Sequence, residues 1–209
     1  MRYENTVILF IKAPQICRVK TRLWPDLNHR ECLSLYRLLM NNAIKQLSNS
    51  LEYKFIVYST EPCNRHSVPY NLTVKYQHGL DLGMRMHNAI SEELKHAQRV
   101  ILIGSDCVQF TKSSLSHALK QLWNKNDIVM TPTNDGGYCL VGMRRTNRAI
   151  FENVSWGTSD VFNQTKRVAE KSGKTINILE TMHDIDTMND LHGLKQRGEL
   201  PIWAQSFIR

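Results

Sequence analysis

The run Val100-Ile101-Leu102-Ile103-Gly104-Ser105-Asp106 constrains this chain more than any other stretch. Four large aliphatic residues in succession, with no polar alternation, make the pattern of a strand covered on both faces, as in the middle of a mostly parallel sheet. The run stops at a glycine, a hydroxyl and a carboxylate. In open α/β sheets ligands collect just outside the carboxyl ends of the strands. Asp106 therefore stands either where a metal or phosphate is held, or where it caps the next segment.

Other segments repeat the theme. Thr6 to Ile11 reads as a first buried strand, Lys54 to Ser59 as a second and Val74 to Tyr76 as a short third. Asp127 to Pro132, Gly137 to Met143 and Thr175 to Leu179 read as later strands. Between them, apolar residues from Cys32 to Leu47 recur at i, i+3, i+4 and i+7, which predicts an amphipathic helix over Glu31 to Leu47. Gly79 to Met86 opens a helix running to about His96, whose free N–H groups suit an anionic ligand, although Asp81 as a plain N-cap is the better reading. Thr111 or Ser113 caps another reaching about Asn124, and Thr158 caps one that ends near Ser172, with Gly173 as its stop. Thr187 and Asp190 make a capping box for a helix finishing at Gly198. Phe151 to Trp156 is a short element, and the tail from Pro201 to Arg209 carries Ile202, Trp203, Phe207 and Ile208, which imply docking on the body or on another subunit. Strands alternating with helices predict a three-layer α/β/α sandwich with a mostly parallel central sheet, in a single domain over residues 1–209.

Composition narrows the partners. A formal net charge of +8 implies attraction to anions, whether nucleic acid, acidic lipid or a phosphorylated small molecule. No continuous Lys/Arg run and no aromatic-rich RNA-binding pattern accompany it, so nucleic acid is an unlikely partner. The cysteines, Cys17, Cys32, Cys63, Cys107 and Cys139, are odd in number and show no Cys-x-x-Cys pair, which argues for reduced thiols and against a zinc knuckle. The histidines lack the i, i+4 pairing of a zinc helix. Val7 to Ile11 is too short for a signal-peptide core or a membrane span, and a cytoplasmic protein is expected.

Three clusters carry candidate chemistry. The loop after the first strand concentrates Lys12, Arg18, Lys20 and Arg22 on the expected ligand edge, a set suited to phosphate oxygens or to plain solvation. Asp135-Gly136-Gly137 allows close backbone approach to a ligand, and it is equally a hairpin turn. In His183-Asp184-Ile185-Asp186, Asp190 has a capping task. That leaves Asp186 as the preferred second metal carboxylate and Asp184 to orient it or a water, with two solvated loop acids as the competing reading.

KAPQICRVKTRL, QHGLDLGMRM, ILIGSDC, TPTNDGGYCLVG, NVSWGTSDV and HDIDTMNDL occur in this order from residue 12 to residue 191. Together they resemble a bacterial family of glycosyltransferase-like proteins in the GT-A, or nucleotide-diphospho-sugar transferase, superfamily, some of whose members are assigned to arsenosugar biosynthesis. The chain is similar, more distantly, to cytidylyl- and guanylyltransferases of cofactor synthesis.

The resemblance implies that Lys12, Arg18, Lys20 and Arg22 surround the nucleotide phosphates, with Gly104 at the same strand end. It implies that Asp106 and Asp186 hold Mg2+ or Mn2+, and that Asp135, Gly136 and Gly137 line the sugar or acceptor side. The activity implied is metal-dependent transfer of a sugar from a nucleotide-diphospho-sugar to a small acceptor, with Asp135 as general base. Nucleotidylyl transfer from a nucleoside triphosphate to a phosphorylated substrate is the alternative enzyme, a non-catalytic nucleotide- or nucleic-acid-binding domain is another, and a homodimer is compatible with each. The chain has Cys17 where relatives usually have glycine, and Val108 where they have proline. A cysteine is expected to resist positive φ and to reshape the basic loop.

Overall fold

In a computed structural model, residues 3–62, 68–124 and 126–208 are described; Cys63 and Arg209 lie outside them. Seven strands form one sheet in the order β3-β2-β1-β4-β6-β5-β7, with β1 at Tyr3–Ile11, β2 at Lys54–Ser59, β3 at Thr73–Tyr76, β4 at Ala97–Gly104, β5 at Ile128–Pro132, β6 at Tyr138–Met143 and β7 at Ile176–Ile178. All pairings are parallel except those of β6, which runs antiparallel to both β4 and β5. The helices are α1 (His29–Leu47), α2 (Leu82–Leu94), α3 (Lys112–Trp123), α4 (Val161–Lys171), α5 (Met188–Gln196) and α6 (Ile202–Gln205).

The absence of alternation in β1 and β4 has a direct cause: both faces are covered. Val7, Leu9 and Ile11 pack with Met40, Ile44 and Leu47 of α1 and with Leu115 and Leu122 of α3. Ile8 and Phe10 point the other way, toward Met86 and Ile90 of α2 and Ala169 of α4. Val100, Ile101 and Ile103 are wholly buried, and each such side chain stabilises the fold by about 1.5–3 kcal/mol relative to exposure. A third cluster packs the outer side of α1, through Leu35 and Leu39, against Leu191 and Leu194 of α5 and Ala204 of α6. It draws the tail onto the body through Trp203, Phe207 and Ile208, while Ile202 stays 86% exposed, contrary to the expectation that it docks.

Two helix starts follow the sequence pattern closely. Asp81 accepts from Met84 N, and Thr111 exchanges bonds with Ser114. Thr158 does not cap α4, because its hydroxyl donates to Ser155 O, and Asp160 takes the N-cap position without a side-chain cap bond. The expected short element at Phe151 to Trp156 is a 3-10 turn placed earlier, over Arg148–Phe151. Cys17, Cys32, Cys107 and Cys139 are free thiols. Among the described residues, no helix is long and apolar enough to cross a membrane.

Candidate functional site

The carboxyl ends of β1, β2 and β4, with the loop following β3, make one rim, and the basic loop after β1 folds over it. Its first residue is pinned by Tyr36 of α1, whose hydroxyl accepts from Lys12 N at 2.7 Å and donates to Lys12 O at 2.9 Å. Gln77, just past β3, ties the neighbouring strand ends by donating from Nε2 to Ile11 O and Tyr58 O. Beyond Lys12 the loop turns through left-handed backbone at two non-glycine residues, Cys17 (φ 61°) and Lys20 (φ 51°). The expectation that a cysteine would refuse positive φ is therefore overturned. The thiol lies 3.0 Å from His29 Nδ1, a local contact that helps to hold the turn. Left-handed backbone costs a β-carbon-bearing residue about 1–2 kcal/mol. Cys17→Gly is therefore expected to raise stability by about 1 kcal/mol, read as a higher denaturation midpoint with unchanged m-value.

The four cations of this loop take different places. Arg18 turns away to an exposed ion pair with Glu61 at 2.8 Å and lines neither of the hollows described below. Lys20 goes inward, with only 3% of its side chain exposed. Its ammonium lies 2.9 Å from Asp106 Oδ1, 3.0 Å from Asp186 Oδ1 and 2.5 Å from Ile185 O. Arg22 reaches Asp186 Oδ2 at 3.5 Å from the solvent side. Lys12 contributes its charge to the same Asp186 carboxylate.

The two acid-bearing segments are themselves joined: Ile185 N donates to Asp106 O, and Cys107 bridges to Asp184 in antiparallel fashion. The carboxylate of Asp190 accepts from Asp186 N, Thr187 N and Thr187 Oγ1, so the start of α5 holds Asp186 in place. The sequence reading put an ion between Asp106 and Asp186; in the fold a lysine ammonium stands there.

A second acidic group adjoins this one. Asp135, Asp184 and Asp186 each offer a carboxylate oxygen, and these oxygens lie within 4.8 Å of one another. Asp135 is oriented by Thr133 Oγ1, which donates to its Oδ1 at 2.6 Å, and by Gly137 N at 3.0 Å. Burial first, then the charges of Asp135 and Asp186, push Asp184 up to about 7. Asp186 moves the other way: burial opposes its charge, but Lys20, Arg22 and Lys12 outweigh that and hold it below the usual carboxylate range. For Lys20, burial alone would lower the value, and the paired carboxylates more than reverse this, so the ammonium is held charged.

A raised carboxyl pKa means that the folded state keeps a proton the unfolded chain would release. In chelator, stability is therefore expected to fall as pH rises from 3.8 toward about 7, with the loss complete above that. Asp184→Asn removes the loss. Its thermal midpoint should exceed the wild type's at pH 8 and converge with it below pH 4; parallel curves at all pH values would contradict the assignment.

Two hollows meet at these acids. The smaller, about 270 Å³, is lined by Lys12, Lys20, Arg85, Gly104, Asp106 and Asp186. The larger, about 470 Å³, is lined by Arg22, Asp135, Gly137, Trp156, Asp184 and Asp186 among others. Leu82 and Asp186 belong to both walls. A β-carbon built on Gly104 meets nothing within 4 Å, whereas one on Gly136 (φ 87°) would sit 1.9 Å from Ser159 O. Gly136 thus serves the packing of the β5–β6 turn against the start of α4, where its carbonyl accepts from Phe162 N, and it lines neither hollow.

A roomier hollow of about 650 Å³ lies at the opposite rim, beside Asn5 and Arg99. Arg99 is already engaged there, donating to Asn5 Oδ1 at 2.7 Å and stacking 4.3 Å from the Trp123 ring, so size does not make that hollow the better site.

Sequence reasoning did not single out Tyr36, Gln77, Arg85 or Trp156. Tyr36 sits in the apolar stripe of α1, and Gln77 is the first residue of the quoted motif QHGLDLGMRM. Arg85 and Trp156 fall inside the quoted motifs, which were the available signal.

A bacterial family described as "uncharacterized protein conserved in bacteria (DUF2064)" matches residues 42–158, more than half of the chain. The chain belongs to that family. Among curated proteins none matches significantly. A crystal structure from Desulfovibrio desulfuricans G20, provisionally named a nucleotide-diphospho-sugar transferase, is 25% identical with a TM-score of 0.89, covering 99% of this chain and 93% of that one. CMP:2-keto-3-deoxy-manno-octonic acid synthetase complexed with CTP superposes at a TM-score of 0.59 and 8% identity, covering 93% of this chain and 98% of that one. 4-Diphosphocytidyl-2C-methyl-D-erythritol synthase from Anaerococcus prevotii DSM 20548 gives 0.57 and 9%, covering 94% and 99%. At such identities these two speak for the fold alone. The fold of this DUF2064 chain is that of the nucleotide-diphospho-sugar transferases.

Proposed function

We propose that this chain is a transferase that binds a nucleotide-diphospho-sugar and passes the sugar to a small acceptor. The observation that carries this reading is the meeting of two hollows at Asp186, one walled by cations and the open Gly104, the other by acids and Trp156. The fold shared with the Desulfovibrio protein supports the same class.

On this reading the smaller hollow takes the nucleotide, with Lys12 and Arg85 facing the diphosphate and Arg22 reaching it from the larger hollow, which takes the sugar and acceptor. Asp184 and Asp186 fit Mg2+ or Mn2+: both are hard oxygen donors close together, and one or two carboxylates with phosphate oxygens and water are the usual set for such ions. Bound there, the ion would supply neutralisation of the leaving diphosphate. Asp135, oriented by Thr133 and Gly137 N, accepts the acceptor's proton as general base. Arg22 offers a planar fork to the departing phosphates from the mouth of the site.

A thermal-shift panel tests the reading. Nucleotide-diphospho-sugars with Mn2+ are expected to raise the midpoint, and chelator to remove the effect. Stabilisation by nucleoside triphosphates but not by diphospho-sugars would favour nucleotidylyl transfer. No response to any nucleotide, with salt-sensitive binding to DNA or RNA, would favour a binding module. An arsenosugar precursor belongs among the acceptors to be assayed.

A further inference from the structure

We propose that Lys20 is a built-in cation that replaces a divalent ion at the Asp106–Asp186 pair, so that Asp106 is compensated without metal and any ion is confined to the Asp184 side of Asp186. This rests on the transferase reading only for the statement that an ion binds at all.

An ammonium has three protons and no further donor. Three oxygens, Asp106 Oδ1, Asp186 Oδ1 and Ile185 O, stand within 3.0 Å of Lys20 Nζ and account for them. A phosphate could therefore gain a bond from Lys20 only if one of these were released. The side chain is 3% exposed, so releasing it would strand a buried charge or open the loop.

The placement is built in from the backbone outward. Lys20 occupies left-handed backbone (φ 51°, ψ 43°) immediately before the turn at Thr21–Leu23, and its carbonyl accepts from Leu23 N. Strained backbone at a side chain this committed marks a position the surrounding structure over-determines. The segments bearing the acids are held together by Ile185 N on Asp106 O and by the Cys107–Asp184 bridge, so the pair keeps its spacing around the ammonium.

The role differs from that expected of a basic-loop lysine. Lys20 is a positioning residue: it fixes two carboxylates at the floor of the smaller hollow and leaves contact with phosphate to Lys12, Arg22 and Arg85. It also sets how many divalent ions the site takes. With the ammonium present the Asp106–Asp186 pair has no need of one. With the charge removed, two carboxylates spaced around a single point are left to recruit one.

Two measurements on the full chain test this. Crystals of the wild type soaked with Mn2+, alone and with CDP, should show anomalous density beside Asp184 and Asp186 with Lys20 still on Asp106. Density between Asp106 and Asp186, with the lysine displaced, overturns the proposal. In solution, Mn2+ titration followed by electron paramagnetic resonance should find one additional ion in Lys20→Met relative to wild type, lost again in the Lys20→Met, Asp106→Asn double variant; unchanged stoichiometry in Lys20→Met overturns it. Should the wild type bind no Mn2+, the metal-dependent reading above fails, while a site gained in Lys20→Met still supports the present one. If Lys20→Met does not fold, the wild-type crystals decide between the two positions, and wild-type crystals without Mn2+ density but with Lys20 off Asp106 also count against it.

Discussion

Asp186→Ala is expected to cost about 3 kcal/mol of stability and to abolish the Mn2+-dependent response to nucleotide. Removing one partner of a buried ion pair typically costs about 3–5 kcal/mol, because the other charge is left uncompensated. Lys20 would retain Asp106 and Ile185 O, which puts the effect at the lower end. For a chain of this size that corresponds to a fall of roughly 6–12 °C in melting temperature. The functional loss has a separate origin, since Asp186 is the one acid on the walls of both hollows and the shared member of the lysine-paired and acidic groups. Asp186→Asn separates the two effects: it keeps the shape and an acceptor for Lys20, so much of the stability should return while the metal response stays absent. A variant with wild-type melting and an intact Mn2+ response would remove the basis of the proposed centre.

Gly136→Ala and Gly104→Val should behave in opposite ways. At Gly136 a methyl would meet backbone at 1.9 Å in a left-handed conformation, so neither the side chain nor its neighbour can turn aside. Backbone strain of about 1–3 kcal/mol and overpacking of about 1–3 kcal/mol combine there, for an expected loss of about 4 kcal/mol in a denaturant titration. At Gly104 an added β-carbon meets nothing within 4 Å, and valine suits the end of a strand. That variant should melt within about 2 °C of wild type yet lose nucleotide-induced stabilisation, because its side chain occupies the smaller hollow. Normal melting of Gly136→Ala would contradict its packing role. Unimpaired nucleotide binding by Gly104→Val would move the nucleotide out of that hollow.

The contrast between the two glycines shows where sequence reasoning stops. Gly104 ends β4 two residues before Asp106, Gly136 follows Asp135 in the β5–β6 turn, and both were expected on the ligand side. Only the position of Ser159, 23 residues further along the chain than Gly136, separates a packing glycine from an open one. Thr158 misled for a different reason: its hydroxyl donates to Ser155 O, three residues back, and Asp160 stands at the N-cap position of α4. By contrast, Asp81, Thr111 and the Thr187–Asp190 pair behaved as their local patterns indicated, because capping is decided within four residues.

Local and periodic physics, then, was legible in the chain itself. Unalternating apolar runs determined that β1 and β4 lie at the centre of a sheet covered on both faces, and the turn and capping residues determined where strands and helices end. The same patterns put cations after β1 and acids after β4 and before α5. What the tertiary structure alone decided is which of these charges meet. Lys20 and Asp186 are 166 positions apart, and Arg18, two residues from Lys20, faces Glu61 instead. Pairing of charges depends on loop backbone angles and on the distance between segments in space, and neither leaves a periodic trace in the order of residues. For that reason a lysine, where an ion had been expected, emerged only when the chain was folded.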